Sequence, residues 1–149
     1  MNSQLQQQPS AENSSEIQVL VVDDDAGILG VVSEVLQDDG YAVTTAASGE
    51  EAVELLKHNE FWLVMSDIRL PGINGVEVLE HIKQVSPRTH VIMITSHASL
   101  DTSIDAINHG AYDSLPKPFE DLSLISSAAR RAVDAFRLEI VRARRIGGL

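Results

Sequence analysis

From Ile17 onward, short apolar runs alternate with segments of helical period, and that alternation leaves few folds open to the chain. IQVLVV (17–22), YAVTTA (41–46), FWLVMS (61–66), HVIMIT (90–95) and the weaker YDSL (112–115) read as strands. Four helical stretches stand between them. Ile28, Val31, Val32, Val35 and Leu36 share one face of the first, which stops before Gly40. Ser48 and Glu51 open the second as a capping box, and Val53, Leu55 and Leu56 carry it to His58. The third follows Gly75 through Val76, Leu79 and Ile82 and ends before Pro87. The fourth, with Leu100, Ile104 and Ile107, stops at Gly110. Each parallel connection has to cross over a sheet face, so the pattern predicts an α/β fold of five parallel strands covered on both sides by helices. A fifth helix begins near Glu120. Its stripe of Ile125, Ala129, Ala132, Phe136, Ile140 and Ala143 runs on toward the C-terminus.

Charge and composition exclude several functions. The 149 residues are enough for one domain of ordinary size. The Gln-, Ser- and Asn-rich residues 1–16 have almost nothing to bury and read as a flexible tail. A net charge of −11 opposes direct binding of nucleic acid phosphates. That charge is unevenly divided: residues 17–121 hold 18 acids and 5 bases, whereas residues 122–149 hold 2 acids and 6 arginines. With no cysteine, disulfides, zinc thiolates and thiol nucleophiles are excluded. No apolar run approaches the ~20 residues of a membrane span, and the N-terminus lacks the parts of a secretory signal. A cytoplasmic protein without membrane contact is expected.

In an open parallel sheet the working groups lie just past the carboxyl ends of the strands. There the sequence places Asp23, Asp24 and Asp25, then Asp67, then Thr95 and Ser96, then Lys117. Bare carboxylates at adjacent strand ends repel, and a hard divalent cation such as Mg²⁺ relieves that repulsion through oxygen ligands. Asp25, next to a helix start, is assigned to capping. Lys117 stands between Pro116 and Pro118, which stiffen the loop that aims it. Together these residues describe phosphoryl transfer to a carboxylate. Asp67 attacks phosphorus, the cation on Asp23, Asp24 and Asp67 neutralises developing charge, and Lys117 and the Thr95 hydroxyl hold phosphoryl oxygens.

VLVVDDD, SDIRLPGING, VIMITSHA and GAYDSLPKPF, in that order and spacing, resemble the receiver domain of two-component response regulators. The resemblance implies a flavodoxin-like (βα)5 fold with a parallel sheet in the strand order 2-1-3-4-5. It makes Asp67 the phosphoacceptor, Asp23 and Asp24 the metal-binding acidic pair, and the main-chain carbonyl of Arg69 a further metal ligand. Thr95 becomes the switch hydroxyl and Lys117 the family's lysine, while Pro71, Gly72 and Gly75 shape the loop after Asp67. The implied partners are a sensor histidine kinase and an output domain or effector protein. Two departures stand out. Ser114 occupies the position of an aromatic residue that in many members rotates on phosphorylation. Either Tyr112, two residues earlier on the same face, takes over, or the coupling is absent. Asn74 stands where Asp is common, and Arg69 and His97 occupy positions that influence phosphate lifetime.

Two other classes fit less well. A Mg²⁺-dependent aspartyl-phosphate phosphatase resembles a DxDxT/V pattern, but here Arg69 replaces the second Asp and cannot act as the general acid. A flavin or nucleotide carrier presents backbone amides after the first strand, where this chain presents three aspartates. His58, His81, His90 and His109 lack ligand spacing and are expected at the surface. The expected organisation is a tail over 1–16, a receiver core over 17–121, and a last helix over 122–149 that extends into a basic linker and can pair with a second copy of itself.

Overall fold

The computed structural model describes residues 17–95, 107–117 and 121–147. Strands β1 (Gln18–Val22), β2 (Ala42–Ala46), β3 (Leu63–Asp67), β4 (His90–Thr95) and β5 (Asp113–Pro116) form one parallel sheet in the order β2-β1-β3-β4-β5. The predicted order is therefore the observed one. Helices α1 (Ala26–Asp38), α2 (Gly49–His58), α3 (Gly75–Val85) and α4 (Ser123–Gly147) complete the described elements. The fourth helical stretch of the sequence lies largely outside the described residues. Its end is seen at Ile107 and Asn108, with the Gly110 N–H donating to the Ile107 carbonyl.

Strand alternation divides the core into two layers. Val19, Val21, Met65, Ile92 and Ile94 pack against Val32 and Leu36 of α1 and Ile125, Ala129 and Ala132 of α4. Leu20, Val22, Val64, Val91 and Met93 pack against Ala52 and Leu56 of α2 and Val78, Leu79 and Ile82 of α3. Three expected core positions are displaced. Val31, on the outer flank of its apolar stripe, is 40% exposed, and Ile107 is 45% exposed. Val78 rather than Val76 fills the sheet-facing row of α3.

The helix starts follow the capping chemistry. Asp25 caps α1, its carboxylate accepting the N–H groups of Gly27 and Ile28. Asn74 and Glu77 form a full capping box at α3. At α2 only half of the expected box is made. Ser48 accepts the Glu51 N–H at 3.1 Å, but Glu51 reaches past Ser48 to the N–H of Ala47 at 2.8 Å.

Helix α4 has 25 residues, about 37 Å at 1.5 Å per residue. Among its described side chains the last buried one is Phe136. The Phe136 ring stacks on Trp62 with centroids 4.7 Å apart, and the Arg137 guanidinium lies 5.3 Å from the Trp62 centroid. Beyond that clasp Leu138 is 49% and Val141 41% exposed, so the helix leaves the domain with apolar side chains uncovered. Phe136→Ala is expected to destabilise the fold by about 3 kcal/mol through cavity formation and to change Trp62 fluorescence. Leu138→Ala is expected to stay within about 0.5 kcal/mol of wild type. Chemical denaturation of the two variants checks the contrast, and equal losses would mean that the distal helix is packed after all.

Candidate functional site

Register brings the acidic residues level. Val22 of β1 pairs with Ser66 of β3, so the next residues, Asp23 and Asp67, leave adjacent strands side by side at the carboxyl edge of the sheet. Asp23 is fully buried, Asp67 nearly so, and Asp24 is exposed. One carboxylate oxygen from each of the three lies within 4.8 Å of the others. Asp25 points away into its capping role, and its own N–H donates to Asp23 Oδ1 at 2.9 Å. Asp24 thus lies with the clustered carboxylates, whereas Asp25 caps α1.

Lys117 comes from the other side of the sheet. Its N–H donates to the Thr95 carbonyl at 2.7 Å, extending the β4–β5 ladder by one residue. Its Nζ then reaches back over the strand ends to lie 2.8 Å from Asp23 Oδ2 and 3.0 Å from Asp67 Oδ2. Asp67 Oδ1 accepts the Arg69 N–H at 3.0 Å, so one oxygen of Asp67 faces the loop and the other the lysine. Thr95, 2% exposed, ends β4 one residue beyond Ile94, the partner of Asp67.

Burial pushes the Asp23 carboxyl above its ordinary value of 3.8, although Lys117 opposes the shift. Burial draws the Lys117 ammonium down, but Asp23 and Asp67 together outweigh it and hold the group above 10.5. Three carboxylates meet one ammonium, which leaves two negative charges to be answered. All the donors are oxygens, and Asp24 opens one side to solvent. That donor set fits a hard divalent cation.

The loop after Asp67 depends on backbone approach. A side chain on Gly75 would collide with the Asp67 carbonyl, and Gly72 adopts φ +73°. Glu50, which no sequence motif singled out, accepts the Ile73 N–H of this loop at 3.1 Å. The glycines at 49 and 72 are the sequence signal that two chain segments meet there.

The remaining candidate residues fall elsewhere. His97 and Pro118 lie outside the described residues. Tyr112 precedes β5 at the far end of the sheet, tilted over His90 with ring centroids 4.9 Å apart. Thr95 pairs with Pro116, four residues on from Tyr112 and about 13 Å along the strand, so Tyr112 and Thr95 lie at opposite ends of the strand. His90 is not the surface residue expected: it is half-buried, with Nε2 enclosed, and burial holds its pKa below 6.5. His58 and His109 are exposed beside Glu54 and Glu80. Trp62, on the strand segment that delivers Asp67, is clasped by α4 at the opposite end and is a reporter of that clasp.

The raised Asp23 pKa has a signed consequence. A carboxyl whose folded pKa exceeds its unfolded value favours the fold fully below the unfolded value near 3.8, and loses that contribution as pH rises through the folded value. Asp23→Asn is therefore expected to raise metal-free stability at neutral pH by on the order of 1 kcal/mol, with the gain fading under acid conditions. Lys117→Ala is expected to lower it, since two buried carboxylates lose their counter-charge. Thermal melts across pH test both signs, and a destabilised Asp23→Asn at neutral pH would contradict them.

The response regulator receiver domain profile matches residues 19–129. The DNA-binding transcriptional regulator NtrC of Escherichia coli K12 is 39% identical over 119 residues, covering 80% of this chain and 25% of that protein. The alginate biosynthesis transcriptional regulatory protein AlgB of Pseudomonas aeruginosa is 38% identical over 122 residues, covering 80% and 27%. The chain thus spans about a quarter of the length of these curated relatives. Among solved structures, a response regulator receiver domain protein from Clostridium thermocellum superposes with a TM-score of 0.75 at 32% identity, covering 81% of this chain and 97% of that one. The receiver domain of NtrX from Brucella abortus superposes at 0.74 with 35% identity, covering 78% and 98%. A match that runs from the first strand into the last helix, carried by the same sheet order, makes this chain a member of the response regulator receiver domain family of two-component signalling.

Proposed function

We propose that this receiver takes a phosphoryl group from a sensor histidine kinase onto Asp67, with Mg²⁺ held by Asp23, Asp24, Asp67 and the main-chain carbonyl of Arg69. The supporting observation is the convergence of three carboxylates and Lys117 on one point at the sheet edge. An oxygen of Asp67 forms the bond to phosphorus, and the phosphorus–nitrogen bond of the donor imidazole breaks. No general base is needed, because an ionised carboxylate is already nucleophilic. When bound, Mg²⁺ supplies positive charge to the phosphoryl oxygens. Lys117 exchanges its contact with Asp67 Oδ2 for a phosphoryl oxygen, and the Thr95 hydroxyl donates to another. The Arg69 N–H holds the other carboxylate oxygen and orients the attack.

On this reading the chain is a signalling switch that promotes only its own phosphorylation and dephosphorylation, and the family match leaves the phosphatase and carrier alternatives without support. Among the described residues no helix is long and apolar enough to cross a membrane, and we assign the domain to the cytoplasm. We assign residues 17–121 to the receiver core and 122–149 to the last helix with its basic linker. Because the relatives are named as transcriptional regulators, the output served is control of transcription, reached through α4 and not by DNA contact from the acidic domain. Leu138 and Val141, uncovered on α4, are the surface through which a second copy pairs.

Asp67→Asn is expected to abolish labelling by a small phosphodonor with Mg²⁺, whereas Asp24→Asn slows it at least about tenfold and Asp25→Asn changes it far less. Intact-mass spectrometry with borohydride trapping reads the outcome; undiminished labelling of Asp67→Asn would overturn the assignment. For the helix, Leu138→Ser/Val141→Ser is the appropriate variant, since truncation before Phe136 would open the core. Sedimentation equilibrium with beryllofluoride is expected to show a weak dimer for wild type and a monomer for the double variant. A monomeric wild type at high concentration, with and without beryllofluoride, would remove the dimer.

A further inference from the structure

We propose that Glu50 is a positioning residue for the Asp67 site: its carboxylate latches the loop between β3 and α3 to the first turn of α2 and so holds the Arg69 main chain against Asp67. This role rests on Asp67 being the phosphoacceptor. The loop is fixed in three ways. Leu70 is buried in the layer shared with α2 and α3. The Gly75 N–H donates to the Ile68 carbonyl at 2.9 Å and closes the base. On the far limb the Ile73 N–H donates to Glu50 Oε2 at 3.1 Å, across 23 residues of sequence.

Close approach on both sides of that hydrogen bond is built into the backbone. A side chain on Gly49 would collide with the Ile73 carbonyl, and one on Gly72 would collide with the Glu50 carboxylate. Two glycines thus clear the space in which one carboxylate meets one amide. From Ile73 the chain runs back through Gly72, Pro71 and Leu70 to Arg69, whose N–H donates to Asp67 Oδ1 at 3.0 Å. Only three residues separate Ile73 from Arg69, and Pro71 among them restricts the backbone, so freedom gained at Ile73 is passed toward Arg69.

Glu50 also lies in the first turn of α2, where any carboxylate interacts favourably with the helix dipole. The two roles separate chemically. Glu50→Gln keeps an acceptor for Ile73 and loses the charge, whereas Glu50→Ala loses both.

The test compares full-length wild type, Glu50→Gln and Glu50→Ala in two measurements. The first is amide hydrogen exchange at Ile73 and Arg69 in the metal-free protein. The second is the rate of phosphorylation by a small phosphodonor with Mg²⁺ across donor concentrations. Glu50→Ala is expected to speed exchange at both amides about tenfold and to lower the saturating rate about three- to tenfold, with Glu50→Gln within about twofold of wild type in both. Unchanged exchange at Arg69 in Glu50→Ala would overturn the latch, as would a Glu50→Gln variant impaired as much as Glu50→Ala. Failure of wild type to be phosphorylated would instead remove Asp67 as phosphoacceptor, and the exchange data would still decide whether Glu50 holds the loop.

Discussion

Mutual repulsion among Asp23, Asp24 and Asp67 is the constraint around which the rest of the domain is arranged. Nothing in a hydrophobic sheet favours gathering three carboxylates within 4.8 Å, one of them fully buried. They are held there by the ladder. β1 and β3 are neighbours in register, so burying Val19 to Val22 and Leu63 to Ser66 leaves Asp23 and Asp67 no other place to emerge. The folding energy of the sheet therefore keeps the acids together, and Lys117 answers part of the cost.

The same arrangement explains why the counter-charge comes from β5. The lysine's backbone is tied to Thr95 at the end of β4, and only its long side chain crosses to the acidic pair. A lysine placed this way can change partners without any strand moving. The compact loop after Asp67 supplies the complementary rigid wall, through Gly75 against the Asp67 carbonyl and the Arg69 N–H on Oδ1. An ammonium on a long side chain on one side and a loop amide on the other suit the proposed phosphorylation, in which the charge of the site changes.

Much of this is legible in the sequence, because the ends of the continuous apolar runs mark where Asp23, Asp67, Thr95 and Lys117 emerge. The strand order comes from a resemblance that four ordered motifs carry, since crossover rules alone permit several orders. What stays hidden depends on packing between segments distant in the chain. The burial of His90 beneath Tyr112 is one such case. The hydrogen bond between Glu50 and Ile73 is another, signalled only by glycines whose neighbours the sequence does not reveal. Apolar spacing continues smoothly past Phe136, but burial does not, because the sheet ends there.

If the gathered carboxylates form a site completed by a divalent cation, thermal melting against Mg²⁺ concentration reads that completion most directly. A ligand that binds only the folded state raises its stability by RT ln(1 + [L]/Kd). The melting temperature is expected to climb with Mg²⁺ in the wild-type chain and to stay flat when Asp23 and Asp24 are both replaced by Asn. A wild-type melting temperature indifferent to Mg²⁺, or a double variant that responds equally, would contradict a cation-completed site.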